Sequence, residues 1–291
     1  MPRATKGKTV WAYLFLAPYL IVLGLFFFLP IFHAFKLSLY SDSMFGAPVF
    51  IGFRNYARAL ADGVFWKGLL NTVLYGLIHM PILYVLAFLL AAALDGPRLV
   101  AKPFFRIAIF LPYAVPTLIA GMIWGTLYAP TNGPVTAVLT RLGLPAPDLL
   151  SAKWILFSMS NIAIWEYTGY IMIILYAALK AVPEELTEAA RIDGANTWNV
   201  IRHVKIPGIA STLRVTLVFS IIGTLQLFNE PQIMRSLAPA VIGPSFTPNL
   251  HGYTLAFSGQ QYSYSAAISF VLGLVTAVIS YIFMLTSNKK A

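Results

Sequence analysis

Apolar residues along the chain gather into blocks of membrane-spanning length, separated by short polar stretches. A helix that crosses a bilayer needs roughly 20 mostly apolar residues, and six windows reach that length: Trp11–His33, Leu69–Leu94, Phe104–Tyr128, Trp154–Leu179, Ile209–Phe228 and Ala266–Thr286. The pattern predicts an all-α fold, a polytopic six-helix membrane bundle that takes in residues 1–291 as a single transmembrane domain. An even number of crossings puts both termini on one side. Pro18, Pro30, Pro81, Pro112 and Pro116 fall inside or beside the blocks. Kinks are therefore expected, since neighbouring helices re-satisfy the backbone groups a proline frees.

Composition reinforces this picture. The chain is 59% hydrophobic and 10% charged, with mean hydropathy +0.77, whereas soluble domains carry roughly 25% charged residues. The absence of cysteine excludes a disulfide framework and a cysteine metal site. A net charge of +10 would suit nucleic acid, but no basic cluster interleaved with aromatics lies outside the apolar blocks, so no nucleic-acid partner is expected. Lys and Arg instead set orientation. With the N-terminus inside, thirteen of the twenty fall on the inner face, among them Arg3, Lys6, Lys8, Arg98, Lys289 and Lys290. Both termini are thus expected in the cytoplasm. Arg3, Lys6 and Lys8 before an apolar run imitate a secretory signal, but the run exceeds an ordinary signal core of about 7–15 residues and reads as a retained first span.

One polar segment stands apart, Lys180–Gly208, which holds four of the ten acidic residues, Glu184, Glu185, Glu188 and Asp193. Pro183 followed by Glu184 and Glu185 starts a helix, because a fixed φ suits the first turn and carboxylates suit the positive end of the dipole. Gly194 can take the left-handed conformation that ends it. Asn196 or Thr197 can cap a second helix, which Pro207 stops. Leu186, Ala189 and Ala190 give the first helix a narrow apolar face, and Trp198, Ile201 and Val204 give the second one. Such a helix-turn-helix either packs under its own bundle or meets a partner.

The run Glu188-Ala189-Ala190, three residues, Gly194, nine residues, then Val204-Lys205-Ile206-Pro207 resembles the EAA loop of the permease subunits of binding-protein-dependent ABC importers. Val204 and Ile206 stand where that family has Ile and Leu. Ile192-Asp193-Gly194-Ala195 with Trp198 and Arg202 resembles the carbohydrate and glycerol-3-phosphate, maltose-type branch. Gly52-Phe53-Arg54-Asn55-Tyr56, Leu111-Pro112-Tyr113-Ala114-Val115-Pro116 and Asn229-Glu230-Pro231 agree with it. The resemblance implies a cytoplasmic coupling loop over residues 180–208, with Glu188, Ala189, Ala190, Arg191, Asp193, Gly194 and Pro207 transmitting ATPase motion. It also implies the partners: two cytoplasmic ABC ATPase subunits, a second and different permease subunit, an extracytoplasmic solute-binding protein and a sugar-like solute. The setting would be a prokaryotic cytoplasmic membrane.

Gly7-Lys8-Thr9 imitates the end of a phosphate-binding loop, but Pro2 stands where the loop needs its first glycine. No set of nucleophile, base and orienting group emerges, and His33, His79, His203 and His251 are scattered. No catalytic residue, metal site or cofactor is expected in the chain; ATP and Mg would belong to the partner ATPases. Candidates for the solute pathway are Glu166 and Tyr167 in the fourth span, Tyr113 in the third, and Gln226, Asn229 and Glu230 at the outer end of the fifth. A carboxylate at mid-membrane costs about 2.5–3.5 kcal/mol on insertion scales and so faces a cavity or a partner. A secondary carrier, a passive channel and a membrane scaffold are the rival readings, and none of them explains the spacing of the loop.

Overall fold

A computed structural model describes residues 6–42, 47–96 and 99–288, and over these the chain is helical with one isolated β-bridge, Tyr40 to Phe50. Arg3, Arg98, Lys289 and Lys290 lie outside the described residues, as do the side chains of Lys6 and Lys8. Among the described residues, four helices are long and apolar enough to cross a membrane: Tyr13–Ser38, Gly63–Asp95, Ile155–Lys180 and Tyr262–Ser287. Two bent pairs, Lys102–Ala114 with Thr117–Leu127 and Thr197–Gly208 with Ala210–Leu225, raise the number to six if each counts as one span.

The bends have identifiable causes. The third block, expected as one helix over 104–128, breaks by 92° at Val115-Pro116. Val115 and Pro116 are both extended, with ψ 125° and 132°, because the residue before a proline is pushed out of the helical region. The second bent pair turns by 65° at Ile209. Its membrane half runs Ala210–Leu225, so the expected end at Phe228 is three residues too long. Elsewhere the chain accommodates proline by widening a turn. Five-residue π-helical stretches at Gly24–Phe28 and Ile201–Lys205 each end two residues before a proline, Pro30 and Pro207. The amides of Leu29 and Ile206 then donate to Gly24 and Ile201, five residues back. A proline inside a helix removes a donor and crowds the carbonyl four residues earlier, and the π-turn absorbs that defect.

The contacts divide the chain into two compact units, Met1–Asp62 with Gly252–Val271, and Gly63–His251 with Leu272–Ala291. In the first, nothing in the apolar window of the first span is buried, as suits a helix facing lipid or a neighbouring subunit. A short helix, Arg54–Ala61, is anchored by the Asn55 amide, which donates to the carbonyls of Ser38 and Tyr40 at 2.9 and 2.8 Å. The Asp42 carboxylate accepts from the Ser263 and Tyr264 amides and so satisfies the open end of the last helix.

The second unit is built on the second and fourth spans. Leu83, Tyr84, Ala87, Ala91 and Leu94 meet Ile171, Met172, Leu175 and Leu179 in one buried cluster, which Ile209 completes. Small residues bring helix axes close where lipid gives no hydrophobic drive to associate. Gly169 is one such position, since a Cβ there would overlap the backbone carbonyl of Ile109. A second close approach uses Gly121 and Gly125, one turn apart, over which Ile233 and Leu237 of the short helix Asn229–Leu237 lie. That helix, together with Pro134–Arg141 and Pro248–Phe257, lies outside the six predicted blocks.

Replacing Gly169 tests this packing. A clash with a fixed carbonyl has no rotamer that relieves it, so Gly169→Val should cost about 1–3 kcal/mol or more and lower the thermal unfolding midpoint in detergent. Gly273→Ala, where no atom lies within 4 Å of the added carbon, should leave the midpoint unchanged or slightly raised. A wild-type midpoint for Gly169→Val would contradict the packing.

Candidate functional site: a polar helix-turn-helix and a membrane cavity

The polar segment forms the two helices its residues predict. Pro183 precedes Glu184–Ile192, with Glu184 and Glu185 in the first turn and Arg191 in the last, so the charges complement the helix dipole at both ends. Gly194 adopts φ +85°. Its amide donates to Arg191 at 3.0 Å, and that of Ala195 to Ala190 at 2.9 Å, the paired bonds of a Schellman ending. Asn196 then caps the second helix by accepting from the Asn199 amide at 2.9 Å. This helix continues through Pro207 to Gly208 rather than stopping at the proline, because the π-turn before it removes the conflict.

The apolar side chains of the segment do not all turn inward. Val200 is buried, and Ile209 at the bend packs into the cluster of the second and fourth spans, while Leu186, Ile192 and Trp198 are exposed, Ile192 by 87%. Glu188, Ala189, Arg191, Asp193, Gly194 and Pro207 are also exposed, and Ala190 is half-buried. The reading in which the first helix packs its apolar face under its own bundle therefore gives way to one in which that face is open. A Cβ on Gly194 would meet no atom within 4 Å. Within this chain, then, the glycine is required by its backbone conformation alone.

The second element is a cavity of about 640 Å³ between the second, fourth and fifth spans, within the roughly 300–1,000 Å³ range of ligand pockets. Tyr75, His79, Tyr167 and Tyr170 supply aromatic surface, and Ser211, Thr212, Thr216 and Ser220 supply hydroxyls along one helix. Gln226, Asn229 and Glu230 close one end. The described residues that line the cavity include no Lys or Arg. Glu230 sits on the short helix beyond the fifth span, where burial first, and then the nearby Glu166, push its carboxyl up to about 7. Such a group both donates and accepts hydrogen bonds near neutral pH.

Four of the six pathway candidates, Tyr167, Gln226, Asn229 and Glu230, thus line one cavity. Glu166 and Tyr113 stand behind the wall. Glu166 is 3% exposed; its Oε1 accepts from the Thr117 hydroxyl at 2.6 Å, and its Oε2 is buried without a partner. It therefore ties the fourth span to the residue that follows the break in the third. Tyr113 stacks on Tyr170 at 4.6 Å and meets Tyr167 edge-on at 5.9 Å, so it supports two rings that line the cavity. Sequence reasoning missed Tyr75, His79 and Tyr170. Tyr75 and His79, four apart on the second span with the His79 Nδ1 hydrogen-bonded to the Tyr75 carbonyl, were detectable as a polar pair inside an apolar block.

The chain matches the model of the family described as binding-protein-dependent transport system inner membrane component over residues 63–287. It is 33% identical to a lactose transport system permease protein of Rhizobium radiobacter, over 96% of this chain and 94% of that one. A probable ABC transporter permease protein of Bacillus subtilis is 32% identical, with 94% of each chain covered. A crystal structure of a bacterial ABC transporter that imports the acidic polysaccharide alginate contains a chain of the same fold, at TM-score 0.82 and 21% identity, covering 97% of this chain and 96% of that one.

The Thr117 and Glu166 pair makes a measurable prediction. Thr117→Val leaves both carboxylate oxygens buried without a donor and should lower stability by about 1–3 kcal/mol. Glu166→Gln keeps an acceptor for the hydroxyl, so it should cost less. Thermal unfolding of the two variants in detergent checks the order, and a larger loss for Glu166→Gln would contradict it.

Proposed function

The chain belongs to the family of inner-membrane components of binding-protein-dependent transport systems, and on that premise we propose that it is one of two permease subunits of an ABC importer for a sugar or sugar-like solute. A solute-binding protein delivers the solute on the outer side. Two ATPase subunits on the cytoplasmic side bind ATP and Mg, and their closure switches the bundle between outward- and inward-facing states. The second permease is a different chain that supplies the other half of the pathway. Both termini lie in the cytoplasm, on the same side as the ATPases, consistent with the Lys and Arg distribution.

One observation carries this reading: two short helices joined at Gly194, the first with complementary end charges, present Leu186, Ile192 and Trp198 to their surroundings. Apolar side chains exposed on a rigid polar element suit a docking surface. Ala189 and Ala190 allow close approach, and Glu188, Arg191 and Asp193 surround them with charge. The segment continues into the fifth span through the bend at Ile209, so displacement of the first helix is passed to a wall of the cavity. A hydroxyl-rich helix, tyrosine rings and a carboxyl near neutrality suit a polyhydroxylated solute, which offers both faces for stacking and groups for hydrogen bonding.

Gly194→Val provides the test. The left-handed conformation would cost a branched residue about 1–2 kcal/mol, and the side chain would obstruct docking. Uptake should be abolished and ATPase association weakened, with membrane insertion near normal, because the packed spans lie elsewhere. Glu188→Ala, which removes one peripheral contact, should be milder. Normal uptake and normal ATPase stimulation in Gly194→Val would overturn the assignment.

A further inference from the structure

Asp95 ends the second span, where a carboxylate is poorly placed: the C-terminal end of a helix carries partial negative charge. Two lysines offset that cost. Lys180, the last residue of the fourth span, reaches Oδ1 at 2.9 Å, and Lys205 reaches Oδ2. The carboxylate is 11% exposed, Lys205 18% and Lys180 52%. Asp95 carries the one acidic group in either salt bridge, and its position relative to the chain path is informative. The polar segment leaves the bundle at Lys180 and returns past Lys205 to the bend at Ile209. Both of its ends are therefore held on a single carboxylate that belongs to neither the segment nor the spans it joins.

From this geometry we infer that Asp95 is a positioning residue for energy coupling, the anchor against which the segment works. The inference rests on the coupling role proposed above for Glu188–Gly194. When an ATPase displaces the first helix, the load reaches the bundle at the two ends of the segment. With both lysines on Asp95, displacement carries the end of the second span along, and the second span lines the cavity through Tyr75, His79 and Leu83. Without the carboxylate, the two lysines repel each other, the ends of the segment part from the second span, and the segment moves without it. Lys205 is the more telling arm. It lies inside the π-turn, between the capped turn at Gly194 and the bend at Ile209, so a force on the first helix must pass it to reach the fifth span.

The test uses the full importer, reconstituted in liposomes with its ATPases, companion permease and binding protein, and reads solute transported per ATP hydrolysed. Asp95→Asn should assemble and hydrolyse ATP, with transport per ATP reduced about tenfold, within the range of coupling energies between sites. Asp95→Glu, which keeps the carboxylate, should stay within about threefold of wild type. Lys205→Gln, which leaves Lys180 on Asp95, should lose transport per ATP while retaining amount and thermal stability. A merely structural staple would lower the midpoint of unfolding and leave the ratio of transport to hydrolysis unchanged. That result, in Asp95→Asn or, if this variant fails to assemble, in Lys205→Gln, would overturn the inference. Gly194→Val run alongside separates the two readings. If it transports normally, the coupling segment itself is misassigned; if it fails while Asp95→Asn and Lys205→Gln keep wild-type stoichiometry, only the anchor is wrong.

Discussion

Lipid offers a backbone amide no hydrogen-bond partner, and the helices of this protein record how the chain meets that constraint while still bending. Nineteen prolines each lack a donor. Where a straight helix suffices, a π-turn re-registers the hydrogen bonds ahead of Pro30 and Pro207. Where the path must turn, Val115 and Pro116 leave the helix altogether. The broken third span is then held by packing from outside itself: the Ile109 carbonyl against Gly169, Gly121 and Gly125 under Ile233 and Leu237, and the Thr117 hydroxyl on Glu166. Each of these contacts joins the third span to another element of the same unit.

Function follows from what the bends separate and what the packing joins. The fifth span divides at Ile209 into a membrane half that lines the cavity and a polar half that carries the exposed turn. One chain path thus connects the exposed polar turn with side chains that line the cavity. The second span provides another cavity wall and, through Asp95, touches both ends of the polar segment. In the proposed coupling, motion at the turn would reach the cavity through few and rigid parts, which a lever requires.

Much of this was legible in the sequence because it depends on local chemistry. Six apolar blocks mark the spans, and Pro183, Gly194 and Asn196 mark the ends of two helices, each residue acting on its own backbone. What was not legible depends on residues far apart in the chain. Whether Pro116 kinks a span or breaks it by 92° is settled by the partners that re-satisfy the freed groups. Glu166 and Tyr167 are adjacent in sequence, yet one lines the cavity and the other stands behind its wall, since successive residues on a helix face different directions. Asp95 gave one local signal, an acid at the wrong end of a helix. Its two lysines, 85 and 110 residues away along the chain, become visible only once the spans are packed.

The central claim is that residues 184–194 meet an ATPase. The chain contains no cysteine, so single cysteines placed in turn along 184–207 report contacts without background. In the assembled importer, cross-links to the ATPase should be strongest at 188–194, should fade toward 207, and should change in yield when a non-hydrolysable nucleotide closes the ATPases. Absence of any ATPase cross-link across 184–194, in an importer that still transports, would contradict the account.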